Sequence, residues 1–130
     1  MNELFSIHVI ITGAHSVESP RGQVNMVLFE GSCDCDFFHG VILPGGVDTQ
    51  REGGLSARYM LQGTDNQGNP TKIFIENNGV WNSDGSCTTH PIIRTDNPRL
   101  AWLEGAALTG GITGHEKGVD IHFYQQTKEV

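Results

Sequence analysis

The 130-residue chain has about the size of one domain and is long enough to bury a core without disulfides or a structural metal. Its 15 acidic and 8 basic residues give a formal net charge of −7, which argues against nucleic acid as a partner. No apolar run is long enough to span a membrane and the N-terminus lacks the pattern of a signal peptide, so we expect a cytoplasmic protein without a membrane partner.

The first half of the chain predicts short β-strands. Residues 4–12 are rich in Ile, Val and Phe, and residues 23–30 place alternate side chains on two faces before Gly31 ends the strand. Turns that contain glycine, proline and asparagine separate the next strand-like segments. These further predicted strands are residues 36–43, 56–62 and 71–76.

The second half gives weaker signals. After residue 77 a run of Asn, Ser, Asp and Gly around Trp81 predicts a long polar loop, and loops of this length are often functional. Residues 91–95 predict a strand, and residues 119–127 predict an alternating last strand.

Residues 99–114 are ambiguous between helix and strand. Their Ala, Leu and Glu content permits a helix, but several glycines end it quickly, so we predict strands joined by a bend. About eight or nine short strands without an amphipathic helix between them indicate an all-β sandwich or barrel, as a single domain over residues 1–130.

The break at Pro44-Gly45-Gly46 is followed by polar residues in strand-like sequence. Gly45 and Gly46 predict a tight turn or bulge with positive φ, because no helix or P-loop lysine follows that would make a phosphate-binding loop. Asp48, Gln50 and Arg58 come next among residues that should pack, so each needs a partner or a ligand.

The order of several motifs resembles a known family. The motifs are Gly-Val-Ile-Leu-Pro-Gly-Gly-Val-Asp at residues 40–48 with Gln50, Ala57-Arg58-Tyr59, the apolar segment 73–79 that ends in Asn and Gly, and Ala101-Trp102-Leu103. Together they resemble the domain-of-unknown-function 3237 family, also called uncharacterised protein family 0311. The resemblance implies an antiparallel β-barrel without a cofactor and without a settled activity.

Two positions depart from the family pattern. Thr49 stands where an aromatic residue often follows the motif aspartate, and Ser56 stands where an aspartate often precedes Ala-Arg-Tyr. The rim of the site is therefore expected to be more open, or differently polar, than in relatives.

Alternation along the strands predicts a site in the barrel lumen. Arg58 lies on the face opposite Tyr59, and Glu76 and Asn78 share a face of the next strand, so a guanidinium and a carboxylate are expected to meet. A lumen lined by Asp48, Arg58 and Glu76 is suited to a small polar or anionic molecule, because arginine offers a rigid fork of donors. A structural ion pair that closes one barrel end is the alternative.

The predicted roles follow from this arrangement. Asp48 and Glu76 are the candidate general bases. Gln50, Arg58 and Asn78 are the candidate ligand-binding residues, and Trp81 joins them as an aromatic wall. Trp102 is expected in the core.

Neither the cysteines nor the histidines predict a metal site. Cys33, Cys35 and Cys87 are an odd number of thiols, and the first two with His39 lack the spacing of a zinc finger or ribbon. The six histidines show no metal-binding motif; His8 and His122, in the first and last strands, are expected as neighbours. Cys87 and His90 are a weak candidate nucleophile and base.

Three functions remain open from the sequence. The first is a barrel that binds a small molecule and uses a carboxylate for proton transfer, as in an isomerase, lyase or cyclase. The second is a binding protein with the same pocket and no turnover, and the third is a structural or interaction barrel whose interior is filled by side chains. A homo-oligomer also stays open, because the sequence does not set the oligomeric state.

Overall fold

The computed structural model describes residues 2–125, which form one antiparallel sheet of nine strands closed into a barrel. The predicted antiparallel β-barrel is confirmed. The strands are β1 Asn2–Ser19, β2 Gly22–Asp34, β3 Phe38–Ile42, β4 Val47–Arg51, β5 Gly54–Asp65, β6 Pro70–Trp81, β7 Cys87–Thr95, β8 Leu108–His115 and β9 Gly118–Gln125.

Two short strands share one position in the barrel. Both β3 and β4 lie between β2 and β5, with Ile42 opposite Leu61 and Val47 opposite Arg58. They are one interrupted strand, and the interruption is the Pro-Gly-Gly break. Gly45 has a φ of 110°, which confirms the predicted turn with positive φ at this residue, whereas Gly46 does not have a positive φ.

The barrel interior is filled by one apolar face of each strand. On β5 the side chains of Ala57, Tyr59 and Leu61 are buried while the residues between them are partly or fully exposed, as strand alternation requires. Phe5 and Phe123 stack with their ring centroids 4.3 Å apart across β1 and β9. These contacts form a packed core inside the barrel.

A short helical segment covers one end of the barrel. A 3₁₀ turn at Pro98–Leu100 and an α-turn at Trp102–Gly105 replace the first of the strands predicted within residues 99–114, so that part of the prediction was wrong, whereas β8 from Leu108 agrees with the second. Leu103 packs into the core, but Trp102 is 44% exposed and makes an edge-to-face ring contact with Phe37, so the prediction of a core tryptophan was also wrong. Neighbouring residues of the turn point in different directions, and Leu103 is the one that points into the core.

A buried carboxylate connects the loops at this same end through hydrogen bonds. Asp65, at the end of β5, is 3% exposed and accepts hydrogen bonds from the side-chain amides of Asn69 and Asn97, at 3.0 and 2.9 Å. The backbone N–H groups of Gln67 and Asn69 also donate to it. These donors, with the Asn69 amide contributing most, hold the pKa of Asp65 well below its usual range.

Two strand predictions need correction. Strand β4 was not predicted, because Val-Asp-Thr-Gln-Arg shows little apolar alternation. Strand β6 extends to Trp81, so the predicted long polar loop is only the turn at residues 82–86. Of the predicted last strand, residues 126 and 127 lie outside the described residues. Between residues 2 and 125, no helix has the length and apolar character needed to cross a membrane.

Candidate functional site

A cavity of about 190 Å³ lies at the barrel end opposite the helical segment. Strand β7 runs between the two ends, with Thr89 at the cavity and Thr95 bonded to Glu104 of the helical segment. Apolar side chains make most of the wall. Examples are Val9, Val27, Phe29, Leu55, Ala57 and Ile121.

Three residues that line this cavity each carry a buried polar atom without a hydrogen-bond partner among the described residues. These atoms are Oδ1 of Asp48, Oδ1 of Asn77 and Oγ1 of Thr89. A buried polar atom without a partner costs about 1–3 kcal/mol, and native proteins leave few of them. The wall therefore offers two acceptors and one hydroxyl to a molecule inside the cavity.

Strand alternation explains why these side chains point inward. Asp48 and Gln50 lie on the inner face of β4, whereas Val47 and Thr49 face outward. Asn77 follows Ile73 and Ile75 on the inner face of β6. The Pro-Gly-Gly turn determines which residues of β4 face the lumen, because it fixes where the interrupted strand resumes.

Among the described residues that line the cavity, Asp48 is the one with an ionisable side chain. The Gln50 side-chain amide donates to its Oδ2 at 2.8 Å, while its Oδ1 stays free. Burial raises the pKa of Asp48, and the hydrogen bond from Gln50 opposes this only in part. A carboxyl group with a raised pKa in a mostly apolar cavity is suited to accept and return a proton.

Gln50 and Trp81 also border a second, polar depression outside the cavity. This vestibule has a volume of about 390 Å³, and its other lining residues are Gln23, Asn25, Arg51 and Glu52. The Trp81 indole N–H donates to the backbone oxygen of Arg51 at 2.8 Å, which fixes the ring at the boundary. An amphipathic ligand can therefore place its apolar part inside and a polar part in the vestibule.

Arg58, Glu76 and Asn78 lie on the outer face of the barrel, so the predicted lumen triad with Asp48 does not form. Arg58 and Glu76 oppose each other on β5 and β6, but outside. Asn78 donates to Glu76 at 2.9 Å and accepts from Ser56 at 2.7 Å. The physical reason is that the apolar residues between them fill the core, which leaves the charged face to solvent.

Two polar residues of the cavity were not predicted. Asn77 shares its face of β6 with Ile73 and Ile75, and that apolar face could have identified it as an inner residue. Thr89 gave no signal, because a threonine among β-branched and polar residues is common in any strand.

A family model described as "Protein of unknown function (DUF3237)" matches residues 1–126. The chain belongs to the DUF3237 family. This confirms the resemblance seen in the sequence motifs. No protein of established annotation matches the chain.

Solved structures share the DUF3237 barrel. A protein of unknown function from Clostridium acetobutylicum matches with a TM-score of 0.79 and 24% identity, over 97% of this chain and 98% of the other. A conserved protein of unknown function from Rhodopseudomonas palustris gives 0.74 and 19%, over 95% and 94%. A β-barrel-like protein from Acinetobacter baumannii gives 0.71 and 15%, over 95% and 92%. At these identities the likeness shows the fold.

The DUF3237 barrel also brings two histidines and an aspartate together outside the cavity. Atoms of His8, His115 and Asp120 lie within 4.8 Å of one another, and His8 Nδ1 is 2.8 Å from the Asp120 carboxylate. The two rings stack nearly parallel, and Nδ1 of His115 accepts the backbone N–H of Lys117. Its Nε2 then carries the proton, so the arrangement does not fit a metal ligand set.

The expected His8–His122 pair and the weak Cys87–His90 candidate do not form in the DUF3237 barrel. His122 lies opposite Ser6 and bonds to Glu3 and Thr113, whereas His8 lies opposite Asp120. Cys87 shares the inner face of β7 with Thr89, but His90 is exposed on the outer face. Residues one or three apart on a strand point in opposite directions, which separates Cys87 from His90.

Proposed function

We propose that the barrel binds a small organic molecule with an apolar body and one or more hydrogen-bond donors. The observation that carries this proposal is the set of three unpartnered buried atoms, on Asp48, Asn77 and Thr89, in an otherwise apolar cavity. Hydroxyl or amine groups match the two acceptors, and a ring or short alkyl chain matches the wall.

An ionised group on the ligand belongs in the vestibule. Inside the cavity an anion would meet the Asp48 carboxylate, and Arg58, which suggested an anionic ligand, lies outside the barrel. In the vestibule, the Arg51 guanidinium and the Glu52 carboxylate both lie in the lining, so a charged group of either sign has a partner there. The favoured ligand is therefore uncharged within the cavity and polar or charged at its outer end.

We further propose that Asp48 takes a proton from the bound molecule and returns it, as an isomerase, lyase or cyclase requires. Its raised pKa, its free Oδ1 and the apolar wall support this role. The hydrogen bond from Gln50 fixes the carboxylate orientation. Glu76 has no part in this step, because it lies on the outer face.

Native mass spectrometry of the purified protein tests binding by showing whether a small molecule is retained. We expect retention by the wild type and by the outer-face control Arg58→Lys. We expect about tenfold weaker binding in Thr89→Val, since the loss of one hydrogen bond to a buried polar group is worth roughly 1.4 kcal/mol. Equal retention by wild type and Thr89→Val would exclude this site.

Tryptophan fluorescence supplies an independent readout. Trp81 lies at the cavity boundary and Trp102 at the opposite end beside Phe37. A molecule that enters the cavity should change the emission of Trp102→Phe, in which Trp81 is the remaining tryptophan, and should leave the emission of Trp81→Phe unchanged. Turnover by wild type but not by Asp48→Asn, with both proteins saturated with ligand, separates an enzyme from a binding protein.

A further inference from the structure

Three amide side chains of the vestibule are held by hydrogen bonds and still have polar atoms left over. Oδ1 of Asn25 accepts the Ser16 hydroxyl at 2.7 Å and the Gln23 side-chain amide at 3.0 Å. Gln50 donates its amide to Asp48 at 2.8 Å. The amide nitrogen of Asn25 and the side-chain oxygens of Gln23 and Gln50 have no partner among residues 2–125. The lining therefore offers one donor group and two acceptors on amides whose orientation is fixed.

The end of β4 and the turn after it add one charge of each sign to the vestibule. Arg51 and Glu52 both line it, and neither side chain has a hydrogen bond or ion pair within the described part of the chain. Trp81 lies beside them, is 39% exposed, and is held by its bond to the Arg51 backbone oxygen. Because the guanidinium and the carboxylate cancel, the lining as a whole carries no net charge.

The cavity and the vestibule together set the shape of the ligand. The cavity, at about 190 Å³, is slightly larger than an engineered apolar cavity of about 150 Å³ that binds one benzene molecule, so it has room for a single ring. The vestibule has a volume of about 390 Å³, and Gln50 and Trp81 belong to both linings. A ligand that extends from the cavity past these two residues has its larger, polar part outside.

We propose that the part of the ligand in the vestibule is a neutral group with several hydroxyls, such as a sugar ring, joined to the single ring in the cavity. A hydroxyl both donates and accepts, so neighbouring hydroxyls match the amide donor, the amide oxygens and both charged side chains together. The C–H face of a sugar ring packs on an aromatic side chain, here Trp81.

The two charged side chains favour this neutral group over an ion. An ion of one sign is attracted by one of Arg51 and Glu52 and repelled by the other, whereas hydroxyls accept from the first and donate to the second. The inference rests on the proposed ligand-binding function and adds a chemical class of ligand to it.

Isothermal titration calorimetry with four phenols that differ in the group opposite the hydroxyl tests the inference. The phenols are 4-methylphenol, 4-hydroxyphenyl β-D-glucoside, the anion 4-hydroxyphenylacetate and the cation tyramine. We expect the wild type to bind the glucoside at least about tenfold more tightly than 4-methylphenol, because the sugar adds hydrogen bonds in the vestibule. The anion and the cation should both bind less tightly than the glucoside.

Asn25→Ala and Arg51→Met test whether the vestibule supplies this gain. Each should weaken glucoside binding roughly three- to tenfold and leave 4-methylphenol binding unchanged, because 4-methylphenol has no group in the vestibule. Asn66→Ala, at an exposed position in the turn after β5, is the matched control and should bind both as the wild type does. Thr89→Val should weaken both. Arg51→Met keeps the backbone oxygen that holds Trp81, so it decides the question even if Asn25→Ala is unstable.

The outcomes separate this inference from the function on which it rests. Binding of 4-methylphenol with no gain for the glucoside, or tighter binding of the anion or the cation, would overturn the inference and leave the binding function in place. Equal losses for the glucoside and 4-methylphenol in Arg51→Met would also overturn it. If none of the four phenols binds, the inference fails, whereas the retention of a molecule by wild type against Thr89→Val still decides the binding function.

Discussion

Thr89 of β7 and Gly110 of β8 face each other directly across the seam where these two strands meet. A Cβ atom on Gly110 would lie 2.1 Å from the Thr89 hydroxyl oxygen, far inside contact distance. This hydroxyl belongs to a residue that lines the cavity, and it has no hydrogen-bond partner among residues 2–125. Glycine at position 110 therefore preserves the position of a candidate ligand-binding group.

We predict that Gly110→Ala lowers the free energy of unfolding by about 1–3 kcal/mol, since the methyl group overpacks the seam. It should also weaken ligand retention, because the Thr89 hydroxyl must move. Gly114→Ala on the same strand is the matched control, with nothing within 4 Å of its added Cβ. Denaturant unfolding and native mass spectrometry of both variants check this; equal stability of the two would contradict it.

Asp48→Asn should raise stability at neutral pH while it weakens ligand binding. Burial raises the folded-state pKa of Asp48, so folding favours the protonated form. The wild type therefore loses stability as pH rises from the ordinary carboxyl pKa, about 4, through the raised folded value. The amide cannot ionise, so the variant should lack this loss.

Thermal unfolding of wild type and Asp48→Asn at pH 4 and pH 8 measures this difference. We expect similar midpoints at the lower pH and a higher midpoint for the variant at the upper pH. A substitution that stabilises the fold and impairs binding marks a functional residue. A variant less stable than wild type at pH 8 would show that the carboxylate has a structural role.

Arg58→Met should change the free energy of unfolding by no more than about 0.5 kcal/mol and leave ligand retention unaltered. Arg58 is exposed and faces Glu76 across β5 and β6 on the outer surface, where ion pairs contribute little. Glu76→Gln should behave in the same way. Chemical denaturation of both variants checks this, and a loss of about 3 kcal/mol or more would indicate a buried partner.

The fold was predictable because strand alternation and glycine-rich turns are local signals. Residues 56–62 illustrate this, since the buried and exposed positions observed on β5 follow the predicted alternation. The helical turn at Trp102–Gly105 was not predictable in this way. A four-residue helix gives no periodicity, and its position depends on the barrel end that it covers.

The candidate site was predictable only in part. Alternation along a strand assigns side chains to two faces, but it does not show which face points into the barrel. The charged face of Arg58 and Glu76 was assigned to the lumen, although Tyr59 and Leu61 occupy the other face. A small barrel needs apolar side chains to fill its interior, and this requirement decides the assignment. Asp48 and Gln50 do lie in the cavity; their roles stay predictions.

Asp65→Asn should destabilise the barrel end near the helical segment in a pH-dependent way. Hydrogen bonds from Asn69 and Asn97, together with backbone donors, hold the folded-state pKa of Asp65 below its unfolded value. Its contribution to stability is therefore present above the ordinary carboxyl pKa, about 4, and is lost as pH falls below that value.

Thermal unfolding at pH 7 and pH 3 tests this dependence with Asp36→Asn, an exposed position in the turn after β2, as the control. Asp65→Asn should unfold at a lower temperature than wild type at pH 7, because an amide presents only one acceptor oxygen to the converging donors. The gap should narrow at pH 3, because the unfolded wild type then binds a proton at Asp65 that folding must release, while the folded carboxylate stays ionised. An equal difference in unfolding temperature between wild type and Asp65→Asn at both pH values would mean that the ionised carboxylate does not stabilise these loops.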